Sequence, residues 1–137
     1  MKTKHLTLYS DGGARGNPGP AGAGAVLREG GKTVAALKRS LGEATNNQAE
    51  YQALLMGLEE AKRLGATQVA CFLDSELVVK QLNRQYKMKN QELGVWFVKV
   101  HNLCQEFDRV TFTHVPREEN TAADRLVNEA LDEAAGS

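Results

Sequence analysis

Two short strand-like stretches, His5–Ser10 and Val69–Leu73, stand on either side of a well-capped helix, and that order admits few folds. The first alternates apolar and polar residues, and the second is a continuous apolar run of strand length. Between them, Thr45 and Gln48 have the spacing of a capping box, so a helix starts near Asn46 and ends before Gly65. Leu54, Gly57, Leu58, Ala61 and Leu64 recur along it at helical spacing. A strand, a helix and a second strand in this order predict parallel pairing through a right-handed crossover. Gly22–Leu27 and Thr33–Leu41 read as two further strands joined at Gly30-Gly31, a dipeptide suited to a tight hairpin, and they add an antiparallel meander. Gly16-Asn17-Pro18-Gly19-Pro20, ahead of that hairpin, reads as loop or turn.

Downstream, helical spacing passes through Leu77, Val78, Gln81 and Leu82, breaks over polar residues 83–90, and resumes from Leu93 through Leu103. Val110–Val115 alternates as a last strand, and a final helix runs from about Asn120 or Thr121 to Ala135. The 137 residues, 42% of them hydrophobic, show no composition shift, which predicts one domain over residues 1–137. Seventeen basic residues balance seventeen acidic ones, so global charge neither requires nor excludes a nucleic-acid partner. The distribution is uneven, with Lys80, Arg84, Lys87, Lys89 and Lys99 gathered around the second helical pair. Cys71 and Cys104 have neither CxxC nor Cys/His spacing and read as core residues. Met1-Lys2-Thr3-Lys4-His5 leads into the first strand without the apolar run of a signal peptide, and no stretch reaches membrane-spanning length. The expectation is a soluble cytoplasmic protein with no membrane partner.

Four acids converge on one place by separate arguments. Asp11 follows the first strand and Asp74 the fourth, and the carboxyl ends of parallel strands are where open sheets bind ligands. Glu50 lies one turn before Leu54, at the top of the buried face of its helix. Asp124 shares a face of the last helix with Val127 and Leu131, which turns it toward the sheet. Each has an ordinary reading when taken alone, Asp74 as a helix cap and Glu50 as a charge favoured by the helix dipole. Together, four carboxylates in a low-dielectric site repel strongly unless cations neutralise them, and all-oxygen ligation points to Mg²⁺ or Mn²⁺. Two such ions roughly 3.5–4 Å apart suit in-line phosphoryl displacement, which makes phosphodiester hydrolysis the expected chemistry.

Tyr9-Ser10-Asp11-Gly12-Gly13, Gly16-Asn17-Pro18-Gly19-Pro20, Thr45-Asn46-Asn47-Gln48-Ala49-Glu50, Leu73-Asp74-Ser75-Glu76 and a late Asp124 occur in the order and spacing of a known family. In these motifs the chain closely resembles the type 1 ribonuclease H family, over essentially its whole length. The resemblance implies an α/β ribonuclease H-like fold, a five-stranded mixed sheet of a three-strand meander plus two parallel strands, flanked by helices. It implies an endoribonuclease that cleaves the RNA strand of RNA/DNA hybrids with two Mg²⁺ or Mn²⁺ ions, leaving 3′-hydroxyl and 5′-phosphate ends. Asp11, Glu50, Asp74 and Asp124 fall on the family's metal-binding acids, and the protein is expected to act as a monomer. Substrate contacts are implied for Gly12 through its amide, for Asn17, Asn46, Asn47 and Glu76 near the hybrid's minor groove, and for Thr45 in a DNA-phosphate pocket. The 2′-hydroxyl is donor and acceptor at once, and asparagine amides suit it.

The chain departs from the family in two places. The basic helical protrusion of many bacterial relatives is shortened to Arg84-Gln85-Tyr86-Lys87-Met88-Lys89, and the loop before the last acid is compressed to Val115-Pro116-Arg117-Glu118-Glu119-Asn120, without a histidine. His114 keeps the parity of the preceding strand, so Arg117 is the candidate auxiliary group, acting by electrostatics because an arginine cannot serve as a base. This compact form resembles the archaeal-like branch, some members of which also accept double-stranded RNA, and that substrate stays open. So does a non-catalytic hybrid-binding module, although the intact acids oppose it. A transposase-like nuclease is disfavoured by the asparagine pair.

Overall fold

In the computed structural model, which describes residues 3–136, the chain runs β1 (His5–Ala14), β2 (Gly19–Glu29), β3 (Lys32–Ala44), α1 (Asn46–Arg63), β4 (Gln68–Leu73), α2 (Glu76–Leu82), α3 (Gln91–Cys104), β5 (Arg109–His114) and α4 (Thr121–Ala135). Met1 and Lys2, read above as leading into the first strand, lie outside the described residues. The five strands form one sheet in the order β3-β2-β1-β4-β5. β1, β2 and β3 pair antiparallel, while β4 joins β1 and β5 joins β4 in parallel, as the strand-helix-strand order predicts. Gly30 and Gly31 make the two-residue turn between β2 and β3, both at positive φ (57° and 81°), where a side chain would be strained.

β2 begins Gly-Pro-Ala-Gly-Ala-Gly-Ala, and its small residues let helices press on both faces of the sheet. On one face, a side chain at Gly57 of α1 would strike Leu8, with the Ala25 methyl only 3.3 Å away. On the other face, reached by the next residue along β2, a side chain at Gly24 would run into the Ala123 carbonyl of α4. The sheet is thus sandwiched where its chain is thinnest. Tyr51, Leu54 and Leu58 of α1 are fully buried against Leu6, Leu8, Leu27, Val69 and Leu73 of the sheet, and together they form the main core. α3 packs outside α1 and contributes Leu93 and Val100. Cys71 belongs to that core, and Cys104 packs at its margin; both are free thiols.

Three strand ends lie three or more residues from the sequence expectation, and the other strand ends shift by one or two at most. Gly19 and Pro20 belong to β2, because Gly19 and Pro20 pair with Ala44 and Glu43 at the far end of β3. Pro20 sits at the start of its strand, a position where its missing donor is tolerated. β3 likewise runs on to Ala44, past Leu41. β1 does not stop at Ser10. It continues to Ala14 because β2 goes on pairing with it after β4 has ended. Among the described residues, no helix is long and apolar enough to cross a membrane.

Candidate active site

Beyond the last parallel pair, Tyr9 with Phe72, β1 is held on its β2 side alone, and Asp11 sits in this stretch opposite Gly24. The absent side chain at Gly24 admits the first turn of α4, and with it Asp124. Gly12 does the same for α1: a Cβ there would collide with the Ala49 carbonyl, and would lie 2.5 Å from the Glu50 nitrogen. Two glycines flanking one aspartate, one beside it in the chain and one across the ladder, therefore bring two helix-borne acids onto it.

Capping is delegated to neighbouring residues. Thr45 accepts from the Gln48 amide at 3.2 Å and Gln48 returns the bond to the Thr45 amide at 2.9 Å, completing the expected capping box. Ser75 caps α2 through the Val78 amide at 3.3 Å, so Asp74 is not the helix cap its position allows. Asp74 and Glu50 are left free to face one another.

Ligand oxygens of Asp11, Glu50 and Asp74 all lie within 4.8 Å of each other. Asp124 stands outside this tight triad but beside Asp11, whose carboxyl it helps to push up. Asp11 is 7% exposed and Glu50 6%, so burial is the first cause of the shift in each. Burial, opposed by a hydrogen bond from Glu50 and reinforced by the negative charge of Asp74, raises Asp11 from 3.8 to about 7. Glu50 is held well above the usual carboxylate range by burial and then by Asp11, with the Gly12 amide pulling the other way. One of its oxygens, Oε2, is buried with no hydrogen-bond partner. Hard oxygen donors, mutual repulsion and an orphaned buried carboxylate oxygen all fit a divalent cation, and Asp11, Glu50, Asp74 and Asp124 are the residues that would hold it.

These shifts predict a sign. Folded Asp11 and Glu50 keep their protons where the unfolded chain has lost them, so their contribution to stability in the absence of metal is fully present below about pH 4 and is lost as pH rises through about 7. The melting temperature of the metal-free protein should fall by roughly 5–10 °C between pH 5 and pH 7.5, and saturating Mg²⁺ should remove most of the fall. Thermal denaturation at a series of pH values measures this, and a metal-free profile flat over that range would contradict it.

The acids open into a cleft of about 330 Å³ that is also lined by Gly12, Asn46, Asn47, Ser75, Arg117 and Asn128. Among the other expected site residues, Asn17 accepts from the Asn46 amide at 3.0 Å, and the Asn46 side chain accepts from the Ala14 amide at 2.8 Å, so both tie the loop after β1 to the start of α1. Thr45 is occupied with capping, and exposed Glu76 is paired with Lys80 at 2.6 Å; neither lines the cleft, and nor does Asn17. Exposed His114 ends β5 opposite Leu73, whereas Arg117, on the 3-10 turn Arg117–Glu119, reaches the cleft wall. Asn120, which the sequence marks only as a helix start, belongs to the site as well. It stands at the cap position of α4 without capping it, fully buried, with its amide nitrogen 2.9 Å from the Ser10 carbonyl and 3.3 Å from Asp74 Oδ2. An asparagine at a helix start, four residues before an inward acid, was all the sequence offered, and its burial and partners are visible only in the fold.

Comparison with known proteins matches this architecture. Residues 9–130 fit a family model described as reverse transcriptase-like. A bifunctional protein of Mycobacterium tuberculosis is 46% identical over 96% of this chain, which spans only 37% of that relative's length. The solved N-terminal ribonuclease H domain of the same mycobacterial protein superposes with a TM-score of 0.94 at 44% identity, covering 98% of each chain. A ribonuclease H of Hydrogenovibrio crunogenus is 35% identical, with 97% of this chain and 99% of the relative aligned. LC11 ribonuclease H1, solved in complex with an RNA/DNA hybrid, has a TM-score of 0.91 at 43% identity over 95% of this chain and 99% of its own. Fold and acids together define a ribonuclease H-like domain. Within that class, the chain belongs to the type 1 ribonuclease H family.

Proposed function

We propose that the protein hydrolyses the RNA strand of RNA/DNA hybrids. The observation that carries this reading is the triad of buried Asp11 and Glu50 with half-buried Asp74, with Asp124 beside it, opening into a cleft edged by Asn46 and Asn47. That a similar enzyme, LC11 ribonuclease H1, is known bound to a hybrid adds support. The four acids would hold two Mg²⁺ or Mn²⁺ ions, which supply charge neutralisation at the scissile phosphate and activation of the attacking water. Attack at phosphorus with departure of the 3′-oxygen leaves a 3′-hydroxyl and a 5′-phosphate.

The chain's own residues do the rest. Asn47 and Asn46 offer amides at the cleft edge to the 2′-hydroxyl, the group that separates RNA from DNA. Gly12, Asn17 and Glu76 are the further minor-groove contacts of this reading, and Thr45, whose amide and hydroxyl both serve the capping box, marks its DNA-phosphate pocket. Arg117, on the cleft wall, stabilises charge developing on the phosphate. Arg117→Ala should lower kcat about tenfold with little change in metal dependence, and an unchanged kcat would remove this role.

The deciding experiment offers the full chain matched RNA/DNA, RNA/RNA and DNA/DNA duplexes, with and without Mg²⁺ or Mn²⁺, with Asp74→Asn as control. Metal-dependent cleavage of the hybrid's RNA strand is the expected result, and cleavage of RNA/RNA would extend the substrate range. Hybrid binding without metal-dependent cleavage by the wild type would instead establish the non-catalytic alternative.

A further inference from the structure

Asn120 is almost completely buried, at 1% exposure, and it touches three of the four elements that carry the acids. It stands at the head of α4, where its carbonyl accepts the Asp124 amide at 3.1 Å. Its side-chain nitrogen donates to the Ser10 carbonyl on β1 at 2.9 Å and to the Asp74 carboxylate after β4 at 3.3 Å. The backbone ladder between β1 and β4 has by then ended, its last pair being Tyr9 with Phe72. The carboxamide takes the place of the next rung, spanning the gap across which Asp11 and Asp74 face each other.

The chemistry of the contact is selective. Two acceptors, a carbonyl and a carboxylate, converge on one group, and a carboxamide nitrogen offers them two hydrogens. A flipped amide, or an aspartate in its place, would set oxygen against oxygen. The other end of the amide, Oδ1, is buried without a partner, a cost that disfavours a polar group placed so. An apolar side chain of similar volume would avoid that cost, so packing alone does not account for the residue. Partners that orient metal ligands through hydrogen bonds have this character.

We propose that Asn120 is a positioning residue, whose amide holds the Asp74 carboxylate at its distance from Asp11 for divalent-cation binding. The inference rests on the metal site proposed above. Its test is calorimetric titration of Mn²⁺ into the free 137-residue chain, wild type against Asn120→Leu, with circular dichroism as the check on folding and hybrid cleavage measured in parallel. Loss of the donor should weaken Mn²⁺ binding by about 10–100-fold, while KM for the hybrid at saturating Mn²⁺ stays within about twofold. Wild-type Mn²⁺ affinity in a folded Asn120→Leu variant would overturn the proposal, whatever its melting temperature. Asn120→Ala is read in the same way if the leucine variant does not fold, and failure of both to fold would make Asn120 a core residue and overturn the proposal equally. Because calorimetry reads cation binding alone, a wild type that binds Mn²⁺ without cutting hybrids would reject the nuclease reading and leave this comparison intact.

Discussion

Glu50→Gln should abolish metal-dependent cleavage, by at least about a thousandfold or ~4 kcal/mol in the barrier, and at the same time stabilise the metal-free protein. The two effects share one cause. Glu50 is buried against Asp11 and Asp74, and its charged form is disfavoured by desolvation and by both neighbours. The neutral amide keeps the shape and can still accept from Gly12, and it spares folding the cost of protonating a carboxylate, or burying its charge, among groups whose oxygens lie within 4.8 Å of each other. Its melting temperature without metal at pH 7.5 should exceed that of wild type by about 3 °C or more, and the rise produced by Mg²⁺ should be largely lost. Substantial cleavage in the variant would remove Glu50 from the catalytic set. A lower metal-free melting temperature would show that its charge is compensated by something other than a cation.

Gly12→Ala should damage both stability and cleavage, and it acts through the backbone. The added methyl would meet the Ala49 carbonyl and the Glu50 nitrogen, atoms of a helix turn that cannot rotate away. α1 would have to lift from β1 and carry Glu50 with it. Destabilisation of about 3 kcal/mol, a drop of roughly 10 °C in melting temperature, is expected, together with at least a tenfold loss of cleavage from the displaced carboxylate. A variant with wild-type stability would mean that the strand and helix are not in contact at this point.

The order of strands and helices was legible in the sequence because each signal was local. Thr45 with Gln48 names a helix start, Gly30-Gly31 names a hairpin, and Val69–Leu73 can only be a short buried strand after a helix. Asp11, Glu50, Asp74 and Asp124 could be placed because strand ends and helix periodicity suffice to bring them to one edge. What could not be read was pairwise. Where β1 loses β4 as a partner depends on the relative lengths of three strands, so Asp11 read as following the first strand although it lies within it. Asn120 looked like the beginning of a helix, since its reach to Ser10 and Asp74 spans 110 and 46 residues of sequence. Gly24 gave no hint of its part either, for its contact is with the Ala123 carbonyl of a helix formed at the other end of the chain.

The one-sided pairing of β1 has a further consequence for how the protein breathes. Asp11 belongs to the antiparallel half of the sheet and Asp74 to the parallel half, and the seam between the halves runs only from His5 with Gln68 to Tyr9 with Phe72. Opening along that seam parts the two carboxylates, and a cation held between them opposes it. Hydrogen exchange from the β4 amides and occupancy of the acidic cleft are then two views of one equilibrium, so a ligand at the sheet's edge reaches into the stability of its middle.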